Sequence, residues 1–310
     1  MTHDPAMTRA PVLIVGAGLA GYTLARELRK LVADLPITLV TADSGDFYSK
    51  PMLSNALAQG QTAATLVQMA AAEQAAKLDI DLRPRCQALS IRRAERRLVT
   101  DAGELAYGQL VLAVGASPRK PGFPGAEAVI SVNNLEDYAR FRERLRPGAH
   151  VCILGAGLVG CEFANDLALA GYRVTLVEAN ERPLQSMLPE ALSTRLLGAL
   201  AALGVEWRAG AAVSALRASD SGYALSLADG VSLAADLVLS AIGLEANVAL
   251  AHAAGLEVDR GIVVDTTLTT RDPNIHALGD CARVGGLVLP YVLPLMQQAI
   301  YRVVNNRRLF

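Results

Sequence analysis

The sequence predicts an α/β protein built from two Rossmann-like dinucleotide-binding domains, the second inserted in the first. Three observations carry the expectation. The stretch PVLIVGAGLAGYTLARELRK (11–30) recurs as HVCILGAGLVGCEFANDLAL (150–169), each an apolar strand, a GxGxxG turn and an amphipathic helix. The echo continues downstream of both helices. The last part of the chain resembles neither repeat, so it is expected to return to the first domain.

In chain order, each glycine loop and its helix are followed by a second strand, ITLV at 37–40 and VTLV at 174–177. LRPRCQALSIRR (82–93) then parallels WRAGAAVSALRA (207–218), and QLVLAVGA (109–116) parallels DLVLSAIG (236–243). Between these lie RLVTDAGELAYG and YALSLADGVSLAAD, short alternating runs with turn signals. Each reads as a small antiparallel meander attached to a parallel sheet. RKPGFPG (119–125), rich in proline and glycine, marks the first crossover. The expected division is 1–122 for the first part of domain one, 123–243 for domain two and 244–310 for the return.

With 310 residues, 52% of them hydrophobic, the chain can fill two cores. Its 29 basic and 30 acidic side chains nearly cancel, so global charge gives no reason to expect nucleic acid or an anionic membrane as partner. No apolar run is long enough for a membrane span and MTHDPAMTRAP lacks the features of a signal peptide, which sets the expectation of a cytoplasmic protein. Cys86, Cys152, Cys161 and Cys281 form no CxxC or CxxxxC pair, and the four histidines have no ligand spacing. No metal is expected, and any redox chemistry must come from a bound cofactor.

In the GxGxxG turns the first glycine allows the tight turn, the second lets the backbone approach a pyrophosphate, and the third lets helix pack on strand. Gly16, Ala17, Gly18, Leu19, Ala20 and Gly21 form the first candidate cradle, and Gly155, Gly157 and Gly160 mark the second. At the end of VTLVE, Glu178 stands where a carboxylate accepts from ribose hydroxyls and repels a 2′-phosphate, which favours NADH over NADPH; Arg182 nearby leaves NADPH open. In ITLVTAD the equivalent position is Thr41, followed by Ala42, with the acid Asp43 two residues late.

These repeats, together with VLAVGASPR (111–119) and LTTRDPNIHALGDCA (268–282), resemble the two-dinucleotide-binding flavoprotein reductases. Within that group TADSGDFYSKPMLS, GCEFANDL and LGDCARVGGLVLPYVLPLM are most similar to the bacterial rubredoxin reductases, over residues 10–297. The resemblance implies FAD in the first domain, NADH in the second, and electrons passed singly to rubredoxin, as in supply to alkane hydroxylation. Another acceptor, ferredoxin or oxygen, would share every motif, and a non-catalytic nucleotide-binding module is the reading from a different class. The branches that need a cysteine beside the flavin do not fit, because residues 41–54 contain none.

The same resemblance implies roles for single residues. Lys50, followed by Pro51, would lie at the flavin N5 edge with Glu162 as its counter-charge. Backbone at Cys86 would contact adenine, Ala113 and Gly115 would line the FAD site, and Arg119 would reach the pyrophosphate. Gly243 would line a cofactor site, Gly279 and Asp280 would hold the ribityl chain, and Val292 would meet the flavin in the helix that Pro290 to Gln298 begins. Relatives are expected to continue into a third, smaller domain, so YRVVNNRRLF reads as a truncated end.

Overall fold

In the computed structural model, which describes residues 11–219 and 222–305, the chain forms two compact units. The first takes the chain up to Tyr48, Val67–Ser117 and the chain from Glu245; the second takes Ser49–Leu66 and Pro118–Leu244.

The first unit is built on a five-stranded sheet in the order Ile275–Ala277, Gln109–Leu112, Val12–Val15, Ile37–Val40, Asp81–Arg83. All four pairings are parallel, with Val12 opposite Ile37 on one side and Gln109 on the other. The central strand VLIV is apolar throughout and buried on both faces, the pattern of a sheet covered on both sides. Helix Leu19–Leu31 lays Tyr22, Leu24, Ala25 and Leu28 into that core and ends with Arg29 and Lys30, cations suited to the C-terminal end of the helix dipole. Strand Ile275–Ala277 brings the last part of the chain back into this sheet, pairing with Gln109–Leu112.

The second unit repeats the plan. Its four-stranded parallel sheet runs Glu206–Arg208, Arg173–Val177, His150–Leu154, Leu237–Ser240. A three-stranded antiparallel meander accompanies each sheet: Ala88–Arg92, Arg97–Thr100 and Gly103–Ala106 in the first unit, Val213–Ser219, Gly222–Leu227 and Ser232–Ala235 in the second. Leu216, Leu225 and Leu227 close the second meander over a core that includes Cys152 and Val238.

One segment departs from the expected division. Residues 49–66, assigned by sequence to 1–122, cluster with the second unit. The strand pair Phe47–Tyr48 and Val67–Met69 brings the two ends of this excursion together. No described helix is long and apolar enough to cross a membrane.

Candidate nucleotide and redox sites

Both glycine loops have the same construction. A Cβ on Gly16 would stand 2.2 Å from the Ala113 carbonyl oxygen, and Gly16 has φ +115, so no larger residue fits there. A Cβ on Gly21 would meet the Gly16 oxygen at 2.0 Å, and one on Gly160 would meet the Gly155 oxygen at 1.9 Å, which holds each helix hard against its own loop. The middle glycines differ: a Cβ on Gly18 or Gly157 meets nothing within 4 Å. Both are N-cap positions, and neither helix has a side chain capping it. Each unit therefore offers uncapped backbone N–H groups facing open space, which suits an anion.

In the second unit this space opens into a cleft of about 590 Å³. Gly155, Gly157, Leu158 and Val159 form one wall, Glu178 and Asn180 another, and Ser240, Ala241, Ile242 and Gly243 a third. The size is in the range of small-molecule sites. Glu178 is fixed within it: one carboxylate oxygen accepts from the Ala156 N–H at 2.6 Å, the other from the Asn180 side-chain amide at 2.6 Å and its N–H at 3.0 Å. Arg182 points its guanidinium toward Glu190, 4.0 Å away. Arg119 falls in this unit, its N–H donating to the Gly243 carbonyl at 3.0 Å.

In the first unit Thr41 donates its hydroxyl to Asp43 at 2.6 Å, and Asp43 also accepts from the Gly45 N–H. The Thr41 carbonyl accepts from the Cys86 N–H at 2.9 Å, so the residue expected at ribose and the one expected at adenine are joined. Ala42 is exposed beside them. Asn247 ties down the loop of Ala113 and Gly115, bonding the Val114 carbonyl through its side chain at 2.8 Å and the Gly115 carbonyl through its N–H at 3.0 Å. Asp280 lies half-buried in the short turn Gly279–Cys281. Gly279 there has φ +80, its N–H donates to Gln298 Oε1 at 2.8 Å, and a Cβ on it would touch Ala20 of the glycine loop at 3.0 Å. The helix that carries Gln298 spans Val292–Asn305, starting two residues after Pro290, with Val292 exposed at its head. The last five residues of the tail, 306–310, lie outside the described residues.

Lys50 opens the single-turn helix Lys50–Ser54, with Pro51 next to it. Glu162, on the helix Leu158–Leu169, accepts the Ser54 hydroxyl at 2.6 Å. One turn on, Asp166 is 3% exposed and accepts from the N–H groups of Leu57 at 2.8 Å and Ala58 at 2.9 Å. Burial raises its pKa, and the two backbone bonds and Arg142 oppose that shift.

The comparisons with known proteins agree with this construction. The profile of the pyridine nucleotide-disulphide oxidoreductases matches residues 10–304. The chain belongs to that family. It is 44% identical over 286 residues to the nitric oxide reductase FlRd-NAD(+) reductase of Aeromonas salmonicida (strain A449), covering 92% of this chain and 74% of that one. It is also 44% identical over 292 residues to the rubredoxin-NAD(+) reductase of Alcanivorax borkumensis (strain ATCC 700651 / DSM 11573 / NCIMB 13689 / SK2), covering 93% and 76%. Among solved structures it superposes on the ferredoxin reductase for the CYP199A2 system from Rhodopseudomonas palustris with a TM-score of 0.90 at 30% identity, covering 96% and 76%. With the putidaredoxin reductase of a covalent putidaredoxin complex the TM-score is 0.87 at 31% identity, covering 95% and 74%.

As a member of this family the chain is an NADH-dependent FAD oxidoreductase. The residues present fit both groups: each unit has an uncapped helix N-terminus behind a glycine loop, and open space where a side chain would block a pyrophosphate. Sequence reasoning missed Ser54, Asp166, Asn180, Asn247 and Gln298. Asp166 left one signal, an acid four residues after Glu162 on a mostly apolar helix; the other four have no pattern that separates them from ordinary polar residues.

Proposed function

We propose that the second unit binds NADH in the 590 Å³ cleft, that the first binds FAD, and that the electrons pass to a rubredoxin. The observation that supports the cleft assignment best is Glu178, whose carboxylate is locked between the glycine loop and Asn180. Held there, it accepts from ribose hydroxyls and sets a negative charge against a 2′-phosphate. FAD, when bound, supplies the hydride-accepting chemistry and releases electrons one at a time. The chain's residues orient the two nucleotides and tune the charge around them.

Backbone N–H groups of Leu19 and Ala20 would meet the FAD pyrophosphate, the loop of Ala113 and Gly115 would line it, and Asp280 would bond its ribityl chain. Lys50, half-buried, would place a cation at the flavin edge and Glu162 would balance it, since an ammonium withdrawn from water by a bound flavin needs a counter-charge. The acceptor is inferred from relatives named as reductases of rubredoxin and of FlRd; supply of electrons to alkane hydroxylation in the cytoplasm is the setting the resemblance suggests.

Glu178→Gln tests the coenzyme assignment while keeping an acceptor for the Ala156 N–H. The preference for NADH over NADPH should narrow, and an unchanged preference would remove Glu178 from that role. Reoxidation of the reduced protein by rubredoxin, ferredoxin and oxygen tests the acceptor: rubredoxin should be the fastest, and equal rates would overturn the assignment.

A further inference from the structure

We infer that Asp166 is a positioning residue for the reaction, holding the Lys50-bearing segment in place on the helix that follows the second glycine loop. The inference rests on the proposed role of Lys50 at the flavin.

Asp166 is a buried carboxylate that the nucleotide chemistry does not use. It sits on Leu158–Leu169 among Phe163, Ala164 and Leu167, all buried and apolar, where an ionised acid needs donors to stay. Its donors are the backbone N–H groups of Leu57 and Ala58, 109 and 108 residues away in sequence. Glu162, four residues earlier and so on the same helix face, takes the Ser54 hydroxyl. Helix Leu135–Arg144 adds a third tie, with the Tyr138 hydroxyl and the Arg142 guanidinium both donating to the Gln61 carbonyl.

The ties fall at residues 54, 57, 58 and 61, all downstream of Lys50. The path back to Lys50 is short and ordered: the Asn55 N–H donates to the Met52 carbonyl, the Met52 N–H to the Ser49 carbonyl, and Leu53 and Ser54 are buried. A hairpin-like excursion with no sheet or long helix of its own is thus immobilised by acids on the nucleotide-binding helix. Asp166 makes two of these bonds and is the most buried of the anchoring groups that come from that helix. In this arrangement the helix that presents its N-terminus to NADH also fixes where Lys50 stands.

A double-mutant cycle on the FAD-loaded protein tests this, with the anaerobic rate of flavin reduction by NADH as one readout and amide hydrogen exchange at Leu57 and Ala58 as the other. Lys50→Met should slow reduction by roughly tenfold or more, as expected for misplacing or removing a positioned group. Asp166→Ala should speed exchange at Leu57 and Ala58 and slow reduction to a similar extent, and the double variant should be no slower than either single one. Asp166→Glu, which keeps the acceptors, should recover part of the rate. If Lys50→Met slows reduction while Asp166→Ala frees both amides at a wild-type rate, or if the two effects multiply, Asp166 is only a structural acid and the inference fails. If Lys50→Met changes nothing, the role of Lys50 fails first and takes the inference with it. Should Asp166→Ala not fold, Asp166→Asn, which keeps one acceptor, runs the same cycle with the same criterion of non-additivity.

Discussion

Cys152 is 1% exposed within the strand His150–Leu154, and burial pushes its thiol up to about 12. Burial first, and then the nearby Glu178 and Glu162, push Cys161 up to about 11, and burial does the same for Cys281. Cys86 is buried as well. The thiolate is the reactive form. A thiol reagent near pH 8 should therefore find no rapidly reacting cysteine in the native protein and four after denaturation; a fast native equivalent would contradict the packing. His150 behaves in the opposite sense. Burial first, and then Arg173, hold its pKa below the usual 6.5. Folding then favours the neutral imidazole, so its contribution to stability is present above about pH 6.5 and is lost as pH falls through the lower folded value. His150→Gln, which can keep a bond to the Thr175 hydroxyl, should flatten that part of the Tm-versus-pH curve, and an unaltered curve would show that His150 does not carry it.

At the level of elements, the turn Gly279–Cys281 is held between the first glycine-loop helix and Val292–Asn305. Gln298→Leu would leave the buried Gly279 N–H without its acceptor, at a cost of about 1–3 kcal/mol. The expected result is a lower Tm with weaker FAD retention, recovered by Gln298→Glu; equal stability in all three proteins would show that the bond carries no weight. The glycine-loop units and meanders were legible in the sequence because each is a local pattern: an apolar run, glycines at fixed offsets, then a helical or alternating period. The place of residues 49–66 was not legible. Apart from the Ser54 hydroxyl, its anchors are backbone N–H and C=O groups joined to side chains some 80 to 110 positions away, and a backbone donor looks alike in every sequence. The helix start at Val292 was misplaced by two residues for a similar reason, since Pro290 signals a helix start without fixing its first turn.

The whole molecule repeats one nucleotide-binding plan twice, with the second copy inserted in the first, and spans about three quarters of the length of the relatives it matches. The division of labour between the copies can be separated by filling one open cradle. A Cβ at Gly157 meets no protein atom within 4 Å, so Gly157→Ala should fold while obstructing the approach of the NADH pyrophosphate. The variant should keep its flavin colour and bleach with dithionite, but with NADH only at much higher concentration; loss of the flavin itself would contradict the assignment of FAD to the other unit. The most direct test of the account is an anaerobic titration of the purified chain, supplied with FAD, with NADH. A yellow protein whose flavin absorbance bleaches with NADH and returns when rubredoxin is added is the predicted result. A protein that stays colourless after FAD is supplied, or flavin that NADH leaves oxidised, would contradict it.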